Sequence, residues 1–303
     1  MKGIVFDTWH GGFETQNIFD VSLNFAKENF TDLFLQVRRR GDALYESEYE
    51  PYIYSIPSGY YIPTTDIDDL LGYACKNKGT LKVHAYLTVL QLWREKNANT
   101  GQFPDEWLMK DNGGIVFLNP RIPEAQDYIV NICKDVCKYD IDGLFLEKLR
   151  YCGDLLWTIQ DGKWEVEPST PAERDEAVTT LMRRIYTEVK KIKDIPISVC
   201  VKTQGDDFTS SKTQTHCDWS QWLTDGILDY AYPMLINKTF DHIETWSGMV
   251  EPNPKTIPIL GCYSTLAELI QQKNLFTDYI IYSLANFSKD KKDKVSLKAV
   301  IDG

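Results

Sequence analysis

Concentrated positive charge is what this chain most lacks. Its 33 Lys and Arg face 44 Asp and Glu, giving a formal net charge of -11 and a pI near 4.9. Neutralising a nucleic-acid backbone or an anionic bilayer needs a dense positive field, so neither is an expected partner. The one compact basic cluster outside a helix or the tail, Arg38-Arg39-Arg40, is too short to reverse that. Long apolar runs are missing as well. Nothing approaches the roughly 18 residues of a membrane span, and Met1-Lys-Gly-Ile-Val-Phe-Asp-Thr-Trp9 enters a strand pattern at once, with no leader of signal-peptide length. Histidine is scarce, 4 residues widely spread, so no metal site is expected, and no cofactor. No Gly-rich dinucleotide or phosphate loop follows the first strand. Repeats, low-complexity linkers and composition breaks are absent, and residues 1–303 read as one domain.

Cysteine is present without a pattern. The seven residues, Cys75, Cys133, Cys137, Cys152, Cys200, Cys217 and Cys262, are odd in number and irregularly spaced, which is no disulfide framework. Cys133 and Cys137 share a helix face but have no nearby histidine to complete a zinc site. Buried free thiols are expected, in a reducing compartment or in a secreted protein of an organism that rarely oxidises its thiols.

What the chain does contain is alternation. Strand patterns occupy residues 3–9, 32–38, 81–87, 143–149, 197–202, 230–236, 257–262 and 279–284. Helical patterns occupy 17–29, 65–78, 122–139, 170–193, 219–224, 240–249 and 265–273. About eight strand–helix units in this length predict an α/β fold of the (β/α)8 TIM-barrel type. An open doubly wound sheet would need fewer units or a second domain. Ser169 or Thr170 as cap, Pro171 in the first turn and Glu173 behind it mark one helix start. Long loops follow the second and third strands, 41–64 and 88–115, and loops of this length are usually functional or mobile. The first carries Tyr45, Tyr49, Tyr52, Tyr54, Tyr60 and Tyr61, and the second Trp93, Arg94, Phe103 and Trp107. Placed over the strand ends, such rings suit a cleft for an elongated sugar chain, since an aromatic face matches a sugar's C–H face and its polar edge the hydroxyl rim. A tyrosine-rich loop packing on itself is the plainer alternative.

Asp142-Gly-Leu-Phe-Leu-Glu-Lys-Leu-Arg-Tyr151 is the most informative stretch. An apolar strand ends abruptly in Glu147, Lys148, Arg150 and Tyr151, and the carboxyl tips of parallel barrel strands are where ligands bind. A structural Glu–Arg pair is the competing reading.

Five stretches then carry a resemblance. They are Leu35-Gln-Val-Arg-Arg-Arg-Gly-Asp-Ala-Leu-Tyr45 with Tyr49-Glu-Pro-Tyr52; Val83-His-Ala-Tyr86; Leu118-Asn-Pro120 with Pro123-Glu-Ala-Gln-Asp-Tyr128; Asp142-Gly-Leu144 with Arg150-Tyr151; and Asp218-Trp219 through Trp222-Leu223 with Leu228-Asp-Tyr230 and Pro233. In this order they resemble the bacterial glycosyl-hydrolase-like family distantly related to the family-ten xylanases, over about residues 3–249. The resemblance implies a (β/α)8 barrel and hydrolysis of glycosidic bonds in a polysaccharide, for some members peptidoglycan-type glycan strands, in the bacterial envelope or outside the cell. Where the family ordinarily carries an Asp-Asp pair this chain has Glu147-Lys148, so either the chemistry is re-registered or the protein binds a glycan without cleaving it.

Glycoside hydrolysis generally uses two carboxyl groups, one protonated and one ionised. Glu147 is the first candidate, kept ionised by Lys148 and Arg150. Asp42, where Gly41 frees the backbone, is the preferred partner, although a turn aspartate is an equal reading; Asp7 is next, then Asp206 and Asp207. Gln36, Arg38, His84, Asn119, Arg150, Tyr151 and Tyr232 are candidate sugar-hydroxyl partners. Glu147, Arg38 and His84 are expected at the same end of the barrel, with Lys148 on the strand face opposite Glu147. Besides a glycosidase, the chain fits a catalytically silent glycan-binding barrel, or an aldolase or sugar isomerase using Lys148 or Lys202.

Overall fold

In a computed structural model, the structure describes residues 1–9, 12–52, 65–94, 100–151, 153, 155–203, 208–236, 238–261 and 266–284. In chain order the strands are β1 (Lys2–Phe6), β2 (Asp32–Arg38), β3 (Lys82–Thr88), β4 (Gln91–Arg94), β5 (Leu108–Asp111), β6 (Ile115–Leu118), β7 (Gly143–Glu147), β8 (Leu156–Gln160), β9 (Lys163–Val166), β10 (Ile197–Lys202), β11 (Tyr230–Met234), β12 (Ile259–Gly261) and β13 (Tyr279–Tyr282). The α-helices are α1 (Gln16–Asn29), α2 (Leu70–Asn77), α3 (Pro123–Asp135), α4 (Pro171–Ile192), α5 (Phe208–Thr215), α6 (Trp219–Thr224), α7 (Phe240–Val250) and α8 (Leu266–Lys273).

Eight of these strands close a barrel in the order β1-β13-β12-β11-β10-β7-β3-β2, every neighbouring pair parallel. Each of the eight expected strand windows overlaps one of them, β1 starting one residue before its window and β3 ending one residue after. Because successive side chains leave a strand on opposite faces, the apolar residues divide into two clusters. Val5, Phe34, Tyr86, Phe145, Cys200, Tyr232, Ile259 and Ile280 fill the lumen. Their neighbours Ile4, Leu33, Leu35, Ala85, Leu144, Leu146, Val199 and Ile281 face the helices. Strands buried on both sides read as unbroken apolar runs, which is why they were legible. Helix α4 starts as its sequence predicts. Thr170 is the cap, its hydroxyl accepting from Glu173 N while the Glu173 carboxylate accepts from Thr170 N, with Pro171 at the first position.

The long loop expected after β3 carries regular structure. Residues 88–118 contribute β4, β5 and β6 to a second, antiparallel sheet of order β4-β6-β5-β8-β9, completed by the β8–β9 hairpin. Asp161 and Gly162 both have positive φ, 49° and 74°, the backbone that a two-residue hairpin between right-twisted strands demands.

The loop after β2 is tied down by a buried ion pair. Arg38, wholly buried, donates from Nε to both Glu50 oxygens at 2.8 and 2.9 Å, with Nη2 2.7 Å from Oε1. Its Nη1 donates to Thr88 O and, at 2.8 Å, to Val89 O, while Tyr128 Oη donates to Glu50 at 2.6 Å. Burial works against the charged guanidinium, but the Glu50 carboxylate outweighs it and pushes Arg38 up. Of the loop tyrosines, Tyr45 is buried, Tyr49 is exposed and Tyr52 Oη donates to Ile67 O at 2.6 Å; Tyr54, Tyr60 and Tyr61 lie outside the described residues.

Cys75, Cys133, Cys137, Cys200 and Cys217 are buried free thiols. Burial pushes Cys75, Cys200 and Cys217 up to about 12 and Cys137 to about 11, which leaves them protonated and unreactive at neutral pH. Cys152 and Cys262 lie outside the described residues. Among the described residues no helix is long and apolar enough to cross a membrane.

Candidate active site

Parallel closure brings the carboxyl ends of the strands to one mouth, and Glu147 closes β7 there, facing the lumen. It is opposite Thr88, the last residue of β3. Tyr86 Oη donates to Glu147 Oε2 at 2.8 Å and Thr88 Oγ1 to the same oxygen at 3.4 Å. The second oxygen, Oε1, is 3.2 Å from Lys148 Nζ. Burial pushes this carboxyl up, but the charges of Lys148 and Arg150, with the hydrogen bonds from Tyr86 and Lys148, outweigh burial and hold it below the usual glutamate value. Glu147 is therefore an ionised carboxylate held at a barrel mouth.

Lys148 corrects the expectation that it faces away. Its φ is 59°, in the left-handed region, which breaks the strand's alternation and swings the ammonium back over Glu147. Arg150, two residues on, is buried, and its Nε and Nη1 have no hydrogen-bond partner among the described residues. Its charge acts on Glu147 through space.

Behind Glu147 runs a polar chain that fixes its rotamer. Gln36 Nε2 donates to Thr88 Oγ1 at 3.2 Å, and Gln36 Oε1 accepts from Thr8 N at 2.9 Å and Thr8 Oγ1 at 3.1 Å. Wholly buried, Gln36 braces the mouth from below. Asp7, also wholly buried, follows β1; it accepts from Trp9 N at 3.2 Å and from Ser283 Oγ. Lys202 ends β10 in register with Met234 of β11.

The remaining expected residues are placed elsewhere. Asp42 is buried and accepts from Arg40 N at 2.8 Å and from the Arg39 and Arg40 guanidinia, each at 3.4 Å, so its oxygens are engaged within its own turn rather than turned to a substrate. Arg38 is committed to Glu50, as described above. His84 is at the far end of the barrel: it pairs in register with Gly143, the first residue of β7, and its Nε2 lies 2.8 Å from Asp32 Oδ1, the first residue of β2. Four residues of strand separate it from Thr88, about 13 Å, so Glu147 and His84 share the lumen but not an end. Asn119 follows β6 of the second sheet, where its side chain accepts from Arg121 N at 3.0 Å as a turn residue before α3. Tyr151 is in the outer core, 5.6 Å from the Arg174 guanidinium and 5.4 Å from His216. Tyr232 fills the middle of the lumen against Phe34 and Phe145. Asp206 and Asp207 lie outside the described residues.

Sequence reading missed Tyr86 and Thr88. Their signal was present, since lumen-facing positions recur every second residue from His84 and the last of them reaches the mouth.

A protein-family model described as Glycosyl hydrolase-like 10 matches residues 14–243. No curated protein matches the chain. Among solved structures, the PgaB (BpsB) glycoside hydrolase domain from Bordetella bronchiseptica is similar with a TM-score of 0.65 at 12% identity, over 99% of this chain and 98% of that one. The catalytic domain of a beta-amylase from Paenibacillus polymyxa is similar with a TM-score of 0.60 at 10% identity, over 99% and 97%. At such identities the likeness is one of fold.

Proposed function

The chain belongs to the glycosyl hydrolase-like 10 family, and from that premise we propose that it hydrolyses O-glycosidic bonds in a polysaccharide or peptidoglycan-type glycan. The observation that carries the reading is Glu147, ionised, buried and held by Tyr86, Thr88 and Lys148 at the end of a barrel strand. A carboxylate so placed acts as nucleophile, or as base for water, on a sugar lying across the mouth. Ionised at rest, it is not the proton donor, so the acid is a second group. We assign that role to Asp7 or to the Asp206–Asp207 pair rather than to Asp42, whose oxygens are taken up by Arg39 and Arg40.

One observation favours a second reading. The Lys148 ammonium, 3.2 Å from Glu147, competes with a developing oxocarbenium for the same carboxylate, as in a barrel that binds glycans without cleaving them. Family membership gives no comparable support to a lysine-based aldolase or isomerase. Incubation with soluble polysaccharides and with peptide-free peptidoglycan strands, assayed for new reducing ends beside equilibrium binding, separates the two. New reducing ends are expected; binding without them would establish the silent barrel.

A further inference from the structure

Trp9 follows β1 and Trp93 lies in β4, yet their rings are flat against each other, centroids 4.6 Å apart and planes 24° from parallel. The Arg39 guanidinium also lies over the Trp9 ring, 4.9 Å from its centroid, with Arg40 at 5.9 Å. Arg39 is itself buried and fixed, donating to Thr8 O at 3.0 Å and to Asp42 at 3.4 Å. Trp9 is thus a bed and Trp93 the outer layer. Both are half-buried, and neither belongs to the buried core. No hydrogen bond engages either indole N–H among the described residues.

Trp93 also has φ 91°, at the point where β4 slips register against β6. A bulky residue in the left-handed region is costly, and such strain together with a bulge that re-aims a side chain collects at binding sites. Two chain connections link the stack to the proposed active site. Trp9 is adjacent to Thr8, which connects through Gln36 and Thr88 to Glu147. In the second, Val89, four residues before Trp93, donates its N–H to Glu147 O at 2.7 Å.

We propose that the face of Trp93 turned away from Trp9 is a stacking platform for one pyranose unit of an extended glycan whose scissile bond lies over Glu147. The inference deepens the glycosidase reading and rests on it. A pyranose offers a flat C–H face to the indole and hydroxyls to the unpartnered N–H. Two arginines over the Trp9 ring disfavour a cationic ligand, and the net charge of -11 disfavours a nucleic-acid base.

The test places Trp93→Gly and Trp93→Phe in a Glu147→Gln background and measures binding of cellohexaose, xylohexaose, maltohexaose and chitohexaose by calorimetry. At least one hexasaccharide should bind the Glu147→Gln protein, Trp93→Phe should retain most of that affinity, and Trp93→Gly should weaken it at least about tenfold. Trp93→Gly relieves the φ strain but also deletes the stack on Trp9, so circular dichroism checks that the variant is folded at the temperature of the titration. No binding of any hexasaccharide, undiminished binding by folded Trp93→Gly, or an equal loss of affinity in Trp93→Phe would overturn the platform. Failure of the Glu147 assignment shows separately, as continued hydrolysis by Glu147→Gln.

Discussion

Removing the charge of Glu50 leaves the Arg38 guanidinium sealed in the protein without a counterion. Both side chains are wholly buried and joined by contacts of 2.7 to 2.9 Å. Breaking a buried pair by deleting one partner costs about 3–5 kcal/mol, and at about 2 °C per kcal/mol for a chain of this size the midpoint of Glu50→Gln should fall by about 6–10 °C. Full recovery in the Arg38→Met/Glu50→Leu double variant is not expected, since Thr88 O, Val89 O and Tyr128 Oη also lose partners. The pair should nonetheless show a coupling of about 1.5–3 kcal/mol in a double-mutant cycle, measured by urea denaturation followed by circular dichroism at pH 7. Additive single variants, within about 0.5 kcal/mol, would refute the argument that Arg38 is a brace rather than a ligand group.

Three further outcomes follow from the same geometry. The folded-state pKa of Glu147 is lowered, so its contribution to stability is present above the unfolded value and lost as pH falls through the folded one; denaturation below pH 4.5 should weaken the unmodified protein more steeply than Glu147→Gln, and the acid limb of kcat/KM, below 4.5, should move up in Lys148→Met. Asp32→Ala removes the His84 partner at the far end of the barrel and should cost about 1–3 kcal/mol with kcat unchanged; a large loss of kcat would return His84 to the site. Thr170→Ala dismantles the α4 capping box and should cost about 1 kcal/mol by urea denaturation, and no measurable loss would contradict that account of the helix start.

The barrel was legible because its strands are apolar on both faces, and no other pattern in the chain matches that signal. The second sheet was not, since β4, β5 and β6 are four residues each, too short for alternation to stand out. Asp161-Gly162 between two alternating runs was a hairpin signal that could have been used. Glu147 was legible as a charge ending an apolar strand. Its neighbour Lys148 was misplaced because a single φ of 59° reverses what alternation dictates. His84, Tyr86 and Thr88 share one face of β3, and only register decides which of them reaches the mouth. Arg38 was drawn into the site by its position at a strand end, because its partner Glu50 is twelve residues along a loop and no local pattern announces the pair.

The most direct test of the central claim is kcat for Glu147→Gln on the glycan that the unmodified protein hydrolyses. The substitution keeps the side chain's shape and removes its charge, so the variant should fold, bind that glycan with similar affinity and lose turnover by about two orders of magnitude or more. Near-normal kcat in a folded, binding-competent Glu147→Gln protein would contradict the account.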